Sequence, residues 1–270
     1  MKKMYRTLLS VVAIVTLYGA VSAAEPIKAG VYPSYPPLDM RDPATNELTG
    51  FDLELGTALA AKLGRPLDWK ETSYSELIAA VKTGRIEIFF NGMFDTPERQ
   101  EQIGFVDYLR SGSQFITLAS KPYRTPESLC GKKVGISRMT NAPAAMQRWS
   151  QQVCEKTGKP AAIYVPAENS VDARSQMTQG RTDAVMMDSL TIPYVIAQNR
   201  NAFVTVGDPI EYTSMGIGVA KGDATLQKQL AVALQSLVDD GSYAKLLKKW
   251  GLSPTSAITK VTINAMEAQK

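Results

Sequence analysis

Histidine is absent from this chain of 270 residues, and cysteine occurs only twice, as Cys130 and Cys154. Zinc sites and iron–sulfur sites are built from clusters of these two residue types, and histidine is the commonest general acid–base catalyst. Both kinds of site lack their usual residues here. We therefore expect neither a metal nor a cofactor, although a hard cation held by carboxylates stays open.

An excess of charge of one sign is also missing. The chain has 30 Lys and Arg residues and 26 Asp and Glu residues, a formal net charge of +4. Basic residues are not arranged in a stripe interleaved with aromatic residues, so nucleic acid is not an expected partner. A soluble monomer that binds a small molecule fits this composition better.

The first residues have the order of a secretory signal peptide. Three basic residues precede an apolar run at 8–17, and small residues follow it up to Ala24. The run is too short to span a membrane, which takes about 20 apolar residues. We predict that residues 1–24 are a cleaved signal peptide and that the mature protein, with its formal charge lowered to +1, is periplasmic.

Export gives the two cysteines a simple interpretation. In an oxidising compartment, Cys130 and Cys154 are expected to form one disulfide bond, which would stabilise the fold by about 3 kcal/mol for a loop of this size. The alternative is a pair of buried thiols.

Hydrophobic periodicity indicates regular alternation of strands and helices after residue 25. Such alternation is typical of a mainly parallel sheet with helices on its faces. The predicted strands are 27–31, 67–70, 86–90, 133–136, 162–165 and 183–187, and the predicted helices are 51–63, 73–81, 143–155, 171–179, 226–238 and 243–250.

Two segments share a local pattern, since residues 82–88 and 178–184 each contain Gly-Arg before a buried strand that opens on an acid. This repetition predicts an α/β fold of two Rossmann-like lobes joined by a hinge of two strands. The predicted division is 25–110 and 216–255 for the first lobe, 111–215 for the second, hinge crossings near 109–113 and 211–215, and a tail at 256–270.

Opposite charges follow two of the buried strands. Arg99 comes after the strand 86–90, and Asp188 comes after the strand 183–187. A guanidinium suits a carboxylate and a carboxylate suits an ammonium, so together they fit an amino acid bound at the carboxyl ends of the strands. Alternatively, Arg99 belongs to a solvated helix start and Asp188 only caps the helix that follows it.

A series of motifs in fixed order makes the chain similar to the polar amino-acid family of extracytoplasmic solute-binding proteins, family 3, over about residues 27–252. The resemblance implies a type II periplasmic binding protein fold with a ligand cleft between its lobes. The motifs are Tyr35-Pro-Pro-Leu38, Gly50-Phe-Asp-Leu53, Thr96-Pro-Glu-Arg99, Phe105-Val-Asp-Tyr108, Leu129-Cys-Gly-Lys-Lys-Val-Gly135, Asp183 with Asp188, and Asp240-Gly-Ser-Tyr243 with Lys249-Trp250.

The resemblance also implies roles for particular residues. Arg99 would bind the ligand carboxylate and Asp188 its ammonium group. The remaining first contacts would come from the rings of Tyr35 and Tyr74, backbone groups at Asn91 and Gly92, and the helix start at Thr140 and Asn141.

Three positions depart from the family pattern. Phe94 replaces the usual Ser or Thr, which removes a hydroxyl group and adds bulk to the ligand site. Met139 replaces a Gly, which puts a close backbone approach in doubt. Tyr32 occupies a position often held by Asp in members that bind cationic ligands, so an uncharged or apolar ligand side chain is favoured.

The expected function is capture of an amino acid or related zwitterion and its delivery to the permease of an ABC importer in the inner membrane. An enzyme similar to periplasmic cyclohexadienyl dehydratases is one alternative. It is not favoured, because no acid follows Asp188 where a proton donor would stand. A ligand sensor that docks to a receptor is the other alternative.

Overall fold

A computed structural model describes residues 24–138, 140–199 and 202–265. Of the predicted signal peptide only Ala24 falls within these ranges, and Met139 also lies outside them. The strands are β1 Ile27–Val31, β2 Met40–Arg41, β3 Leu48–Thr49, β4 Leu67–Glu71, β5 Ile88–Phe94, β6 Ile103–Leu118, β7 Lys133–Ser137, β8 Ile163–Ala167, β9 Ala184–Asp188 and β10 Phe203–Ala220. The α-helices are α1 Phe51–Leu63, α2 Leu77–Lys82, α3 Pro97–Gln100, α4 Ala142–Trp149, α5 Ser170–Thr178, α6 Ile192–Gln198, α7 Ala224–Asp239 and α8 Ser242–Lys249.

Eight strands form one mixed sheet in the order β4-β1-β5-β10-β6-β9-β7-β8. At one end β1 is parallel to β4 and β5, and at the other end β7 is parallel to β8 and β9. The long strands β6 and β10 run antiparallel to each other between these two groups. The predicted α/β architecture, two similar halves connected by two strands, is therefore confirmed.

The two connecting strands are longer than the sequence indicated. We predicted hinge crossings near 109–113 and 211–215, whereas β6 already begins at Ile103 and β10 at Phe203. Their pairing is irregular between Val206 and Gly216, where the register shifts repeatedly. Regular pairing on both sides of this irregular stretch explains why each strand belongs to both halves.

The hydrophobic core is divided in the same way. In the first half, the ring of Phe51 lies between those of Tyr108 and Tyr243, with centroid distances of 6.3 and 6.2 Å. In the second half, Phe115 packs edge-on against Trp149 at 4.6 Å. Each half therefore buries its own apolar residues, as a molecule with two lobes requires.

The disulfide bond between Cys130 and Cys154 is present, which confirms that prediction. It joins the segment before β7 to the helical turn that follows α4, so it cross-links the second half only. In the described part of the chain, none of the helices combines the length and the apolar character needed to cross a membrane.

The segment after α8, predicted as a tail, packs on the first half as far as it is described. Thr262 Oγ1 donates a hydrogen bond to Asp107 Oδ2 at 2.8 Å, and Asn264 Oδ1 accepts one from the Phe105 amide at 2.7 Å. Val261 contacts the apolar core of the first half. Residues 257–265 thus cover the outer side of β6.

Candidate functional site

A cavity of about 580 Å³ lies between the two halves. The first half contributes Tyr32, Ser34, Tyr35, Pro36, Ser73, Tyr74, Ser75, Asn91, Gly92 and Phe94. The second half contributes Ser113, Ser137, Thr140, Asn141, Ala142, Glu168, Asn169, Ser170, Val171, Arg174, Met186, Met187, Asp188, Thr191 and Val195. We call this cavity the cleft.

The topology explains why these residues meet. In the first half, Tyr32 follows β1 and Phe94 ends β5. In the second half, Glu168 follows β8 and Asp188 ends β9. The carboxyl ends of parallel strands are where open α/β sheets bind ligands, and here two such edges face each other.

The wall of the first half is held in place by its own polar groups. Asn91 adopts a positive φ of 138°, and its side chain exchanges hydrogen bonds of 2.8 and 3.1 Å with the backbone of Tyr32. The amide of Gly92 donates to the Tyr108 hydroxyl at 2.9 Å. The predicted pair Asn91 and Gly92 therefore lines the cleft, but these polar groups are already engaged within the protein.

Glycine is needed at position 92 for two reasons. Its φ is +54°, and a Cβ atom there would lie 2.5 Å from Cε1 of Tyr35. The ring of Tyr35 thus packs directly on the backbone of β5. Tyr35 and Tyr74, both predicted from the sequence, line the cleft together with Tyr32 and Phe94, and these four rings form what we call the aromatic wall.

Two buried carboxyl groups lie behind the aromatic wall. Asp39 Oδ2 accepts a hydrogen bond from Asn91 Nδ2 at 3.0 Å, and Asp52 Oδ2 accepts one from the Tyr108 hydroxyl at 2.9 Å. Burial and the adjacent Asp52 raise the pKa of Asp39 well above its ordinary value, which favours its protonated form. A protonated Asp39 would spare the pair the cost of burying two negative charges.

Asp188 is the acid that faces the cleft from the second half. Its Oδ1 atom accepts a hydrogen bond from the Leu190 amide at 2.9 Å. Its Oδ2 atom is buried and has no hydrogen-bond donor among the residues that the structure describes. Burial raises the pKa of Asp188 to about 6, and the nearby hydroxyl groups of Ser111 and Tyr35 partly offset this effect. This oxygen can therefore accept a further hydrogen bond from a ligand.

The start of α4 also faces the cleft, as predicted for Thr140 and Asn141. Thr140 Oγ1 accepts a hydrogen bond from the Ala142 amide at 3.2 Å. Asn141 Oδ1 is buried and, within the described ranges, has no donor. Pro143 occupies the first turn, and α4 thus begins with its positive dipole end toward the cleft.

Arg99, expected from the sequence to bind the ligand carboxylate, is not among the residues that line the cleft. Its Nη1 atom donates a hydrogen bond of 2.8 Å to the backbone carbonyl of Phe94. The guanidinium also lies close enough to the buried carboxyl group of Asp95 to lower the pKa of that group, against a larger rise caused by burial. Phe94, which is 7% exposed, presents its side chain to the cleft instead.

Arg174 is one of the cleft residues that the sequence analysis missed. It lies at the middle of α5, and a helical side chain leans toward the N-terminus of its helix. Arg174 lines the cleft, as do Glu168 and Asn169, which follow β8. Burial lowers the pKa of Arg174. The sequence offered one signal for this residue: it lies about one turn into the helix that follows a predicted parallel strand.

These features define an α/β binding protein with a ligand cleft between two halves. The chain belongs to the bacterial extracellular solute-binding proteins, family 3, whose family model matches residues 27–253. This result confirms the family expected from the sequence motifs.

Individual relatives agree with this assignment. The chain is 30% identical over 237 residues to the putative ABC transporter arginine-binding protein 2 of Escherichia coli strain K12, covering 86% of this chain and 93% of that protein. A solved structure of an ancestral arginine-binding protein bound to arginine is 28% identical, with a TM-score of 0.71 and coverage of 84% and 99%. An ancestral amino acid-binding protein, a precursor of cyclohexadienyl dehydratase, is 27% identical, with a TM-score of 0.71 and coverage of 83% and 95%.

Proposed function

We propose that this protein binds an amino acid, or a closely related zwitterion, in the cleft and delivers it to an ABC importer. The observation that carries the proposal is the buried Oδ2 atom of Asp188, which faces the cleft without a donor in the described part of the chain. A ligand ammonium group supplies the missing donor. The relatives named above, described as arginine-binding or amino acid-binding, support the same class of ligand.

Closure of the two halves would complete the site. The ligand would contact Asp188 and the start of α4 on one side and Tyr35 and Tyr74 on the other, so its binding energy would favour the closed form. A permease can then distinguish loaded from empty protein by shape. Export to the periplasm by the predicted signal peptide belongs to the same proposal.

The direct test is a thermal-shift screen of the protein, without residues 1–24, against the twenty L-amino acids, followed by calorimetric titration of those that raise the midpoint. The matched control is the N-acetyl derivative of each, which lacks the ammonium group. We expect micromolar or tighter binding of at least one amino acid and none of its N-acetyl derivative. Failure of all twenty would contradict the proposal.

Binding without catalysis is the function we favour over a dehydratase. The acids that line the cleft among the described residues are Glu168 and Asp188, and Glu168 is paired with Arg138. A proton donor in addition to an ammonium-binding carboxylate is therefore not provided. Formation of an aromatic product from prephenate or arogenate by the purified protein would overturn this view.

A further inference from the structure

The charged side chains that line the cleft, among the described residues, are those of Glu168, Arg174 and Asp188. Glu168 is paired with Arg138, and Asp188 is the proposed partner of the ligand ammonium group. Arg174 has no hydrogen bond or ion pair with any residue in the described ranges, and burial is the cause of its lowered pKa. The cleft therefore contains a guanidinium whose charge no described residue compensates, which is costly in a partly buried place.

Arg174 and Asp188 line the same cavity but are not partners of each other. An ion pair between them would lower the pKa of Asp188 and raise that of Arg174, and both shifts have the opposite direction. The groups that partly offset the effect of burial on Asp188 are hydroxyls and backbone amides, without a contribution from Arg174. A ligand that compensates both charges therefore carries a cationic group at one place and an anionic group at another.

An amino acid offers two places for an anionic group, its α-carboxylate and its side chain. The family resemblance assigns the α-carboxylate to Arg99 in the first half, whose Nε and Nη2 atoms make no hydrogen bond within the described ranges. Arg174 belongs to the second half. It follows Ala173, whose carbonyl oxygen would lie 3.5 Å from a Cβ atom at Gly135, so this part of α5 packs against β7. A guanidinium there is left for the ligand side chain.

We propose that Arg174 binds a carboxylate on the ligand side chain, so that the ligands are acidic amino acids, with L-glutamate and L-aspartate as the smallest. This inference rests on the proposed function and names its ligand class. A guanidinium can donate two parallel hydrogen bonds to a carboxylate, and the opposite charges strengthen both. A carboxamide of the same shape has no negative charge. Arg174 therefore selects the side-chain acid over the corresponding amide.

The same charge disfavours a basic ligand side chain. A second cation would enter the cavity that already contains the uncompensated Arg174, and like charges repel. Glu168, which could attract such a cation, is already paired with Arg138. The specificity thus differs from that of the arginine-binding proteins to which this chain is similar. It also differs from the uncharged side chain favoured on the basis of Tyr32, because the sequence analysis did not include Arg174.

The test compares acids with their amides by calorimetric titration of the protein without residues 1–24. The probes are L-glutamate with L-glutamine and L-aspartate with L-asparagine. We expect the wild type to bind the better acid at least about 30-fold more tightly than its amide. We expect R174Q to lose this preference for acid over amide, through weaker binding of the acid. R181Q removes an exposed arginine of the same half that does not line the cleft, and this matched control should retain the preference.

Two further measurements separate charge from geometry and one carboxylate from the other. R174K keeps the charge without the planar fork, so it should bind the acid about tenfold more weakly than the wild type and still prefer it to the amide. The α-amide of L-glutamate keeps the side-chain carboxylate. R174Q should still bind L-glutamate more tightly than this α-amide, because Arg174 does not hold the α-carboxylate.

The contrary outcomes are distinguishable. The assignment of Arg174 is overturned if R174Q keeps the preference for acid over amide, if R174K loses it, or if R174Q loses instead the preference for L-glutamate over its α-amide. If the wild type binds another amino acid more tightly than both acids, the inference fails and the proposed function stands. If it binds none of the twenty amino acids, both are overturned.

Discussion

The two faces of the cleft differ in how far their polar groups are satisfied. On the first half, the side chain of Asn91 and the amide of Gly92 are bonded to Tyr32 and Tyr108. On the second half, Asp188 Oδ2 and Asn141 Oδ1 are buried without donors among the described residues. The first face offers mainly aromatic surface, whereas the second can gain hydrogen bonds when a ligand arrives.

This difference assigns separate tasks to the two faces. Aromatic rings can pack against many kinds of ligand side chain, with a modest energy that depends little on orientation. The aromatic wall is therefore suited to discriminating ligands by the shape of their side chains. Buried charges in a site of low polarity demand a partner of opposite charge, and the penalty for a wrong one is large. Under the proposed function, the second half would therefore set the chemical class of ligand.

The largest effect is expected from Asp188→Asn. The amide cannot neutralise a ligand ammonium, and loss of one member of a buried charge pair costs about 2–5 kcal/mol, which is a factor of roughly 30 or more in affinity. Calorimetric titration with the amino acid that binds most tightly in the screen measures this loss of affinity. Asp208→Asn removes an exposed carboxylate from β10 and serves as the control with unchanged affinity. If Asp188→Asn binds the ligand with wild-type affinity, the ammonium site does not lie in the second half.

The second prediction concerns stability, since only the second half is cross-linked. The double variant Cys130→Ser with Cys154→Ser is expected to lose about 3 kcal/mol in free energy of unfolding, through the entropy of the open loop. Urea unfolding can follow each half separately, because Trp69 packs against Phe90 in the first and Trp149 against Phe115 in the second. In variants that retain Trp69 or Trp149 as the single tryptophan, the loss of stability should appear in the unfolding transition reported by Trp149 and not in that reported by Trp69. If both transitions move to the same lower urea concentration, the two halves unfold as one unit.

Much of the fold was predictable because the local sequence signals for helices and strands agree with which residues are buried in the folded protein. The bounds of β1 and α1 match the sequence prediction at both ends, and Gly64 ends α1 in the left-handed conformation that favours glycine. The helix predicted at 143–155 is instead α4, which ends at Trp149 and continues as a wider turn through Cys154. The hairpin of β2 and β3 was missed, since two residues in each strand leave no periodic pattern.

The site was predictable in position but not in its charges. Nine of the ten predicted ligand residues line the cleft, because the carboxyl ends of parallel strands can be located from the pattern of apolar segments. Arg99 is the exception. Its guanidinium is bonded to the backbone carbonyl of Phe94, a contact that the pattern of apolar segments does not encode. Arg174 has no motif of its own, and only the fold places it among the residues that line the cleft.

A third prediction uses pH to separate the two faces. Burial raises the pKa of Asp188 to about 6, and a ligand ammonium binds the ionised carboxylate. Affinity should be constant above pH 6 and fall below it by about tenfold for each further unit, because protonation competes with binding. Calorimetric titration from pH 8 to pH 5 measures this. Constant affinity over the whole range would show that Asp188 is not the partner of the ammonium group.

Without ligand the same carboxyl group has the opposite effect on stability. A raised pKa means that the folded protein binds more protons than the unfolded chain between the ordinary value of 3.8 and about 6. Its contribution to stability therefore falls as the pH rises through that window. The buried Asp52, with a pKa raised by burial to about 6, acts in the same direction. The unliganded melting temperature should accordingly be higher at pH 5 than at pH 7, while ligand binding shows the reverse trend.

The smallest effect is expected on the aromatic wall. Tyr74→Ala removes one partly exposed ring and should weaken binding by about 1 kcal/mol, or roughly fivefold, whereas Tyr74→Phe keeps the ring and should bind almost normally. The informative quantity is the order of preference among amino acid side chains, measured across the screen. Tyr74→Ala should change that order and leave the preference for acid over amide intact, because charge is recognised on the other face. A change in the acid preference alone would mean that the two faces do not divide the work in this way.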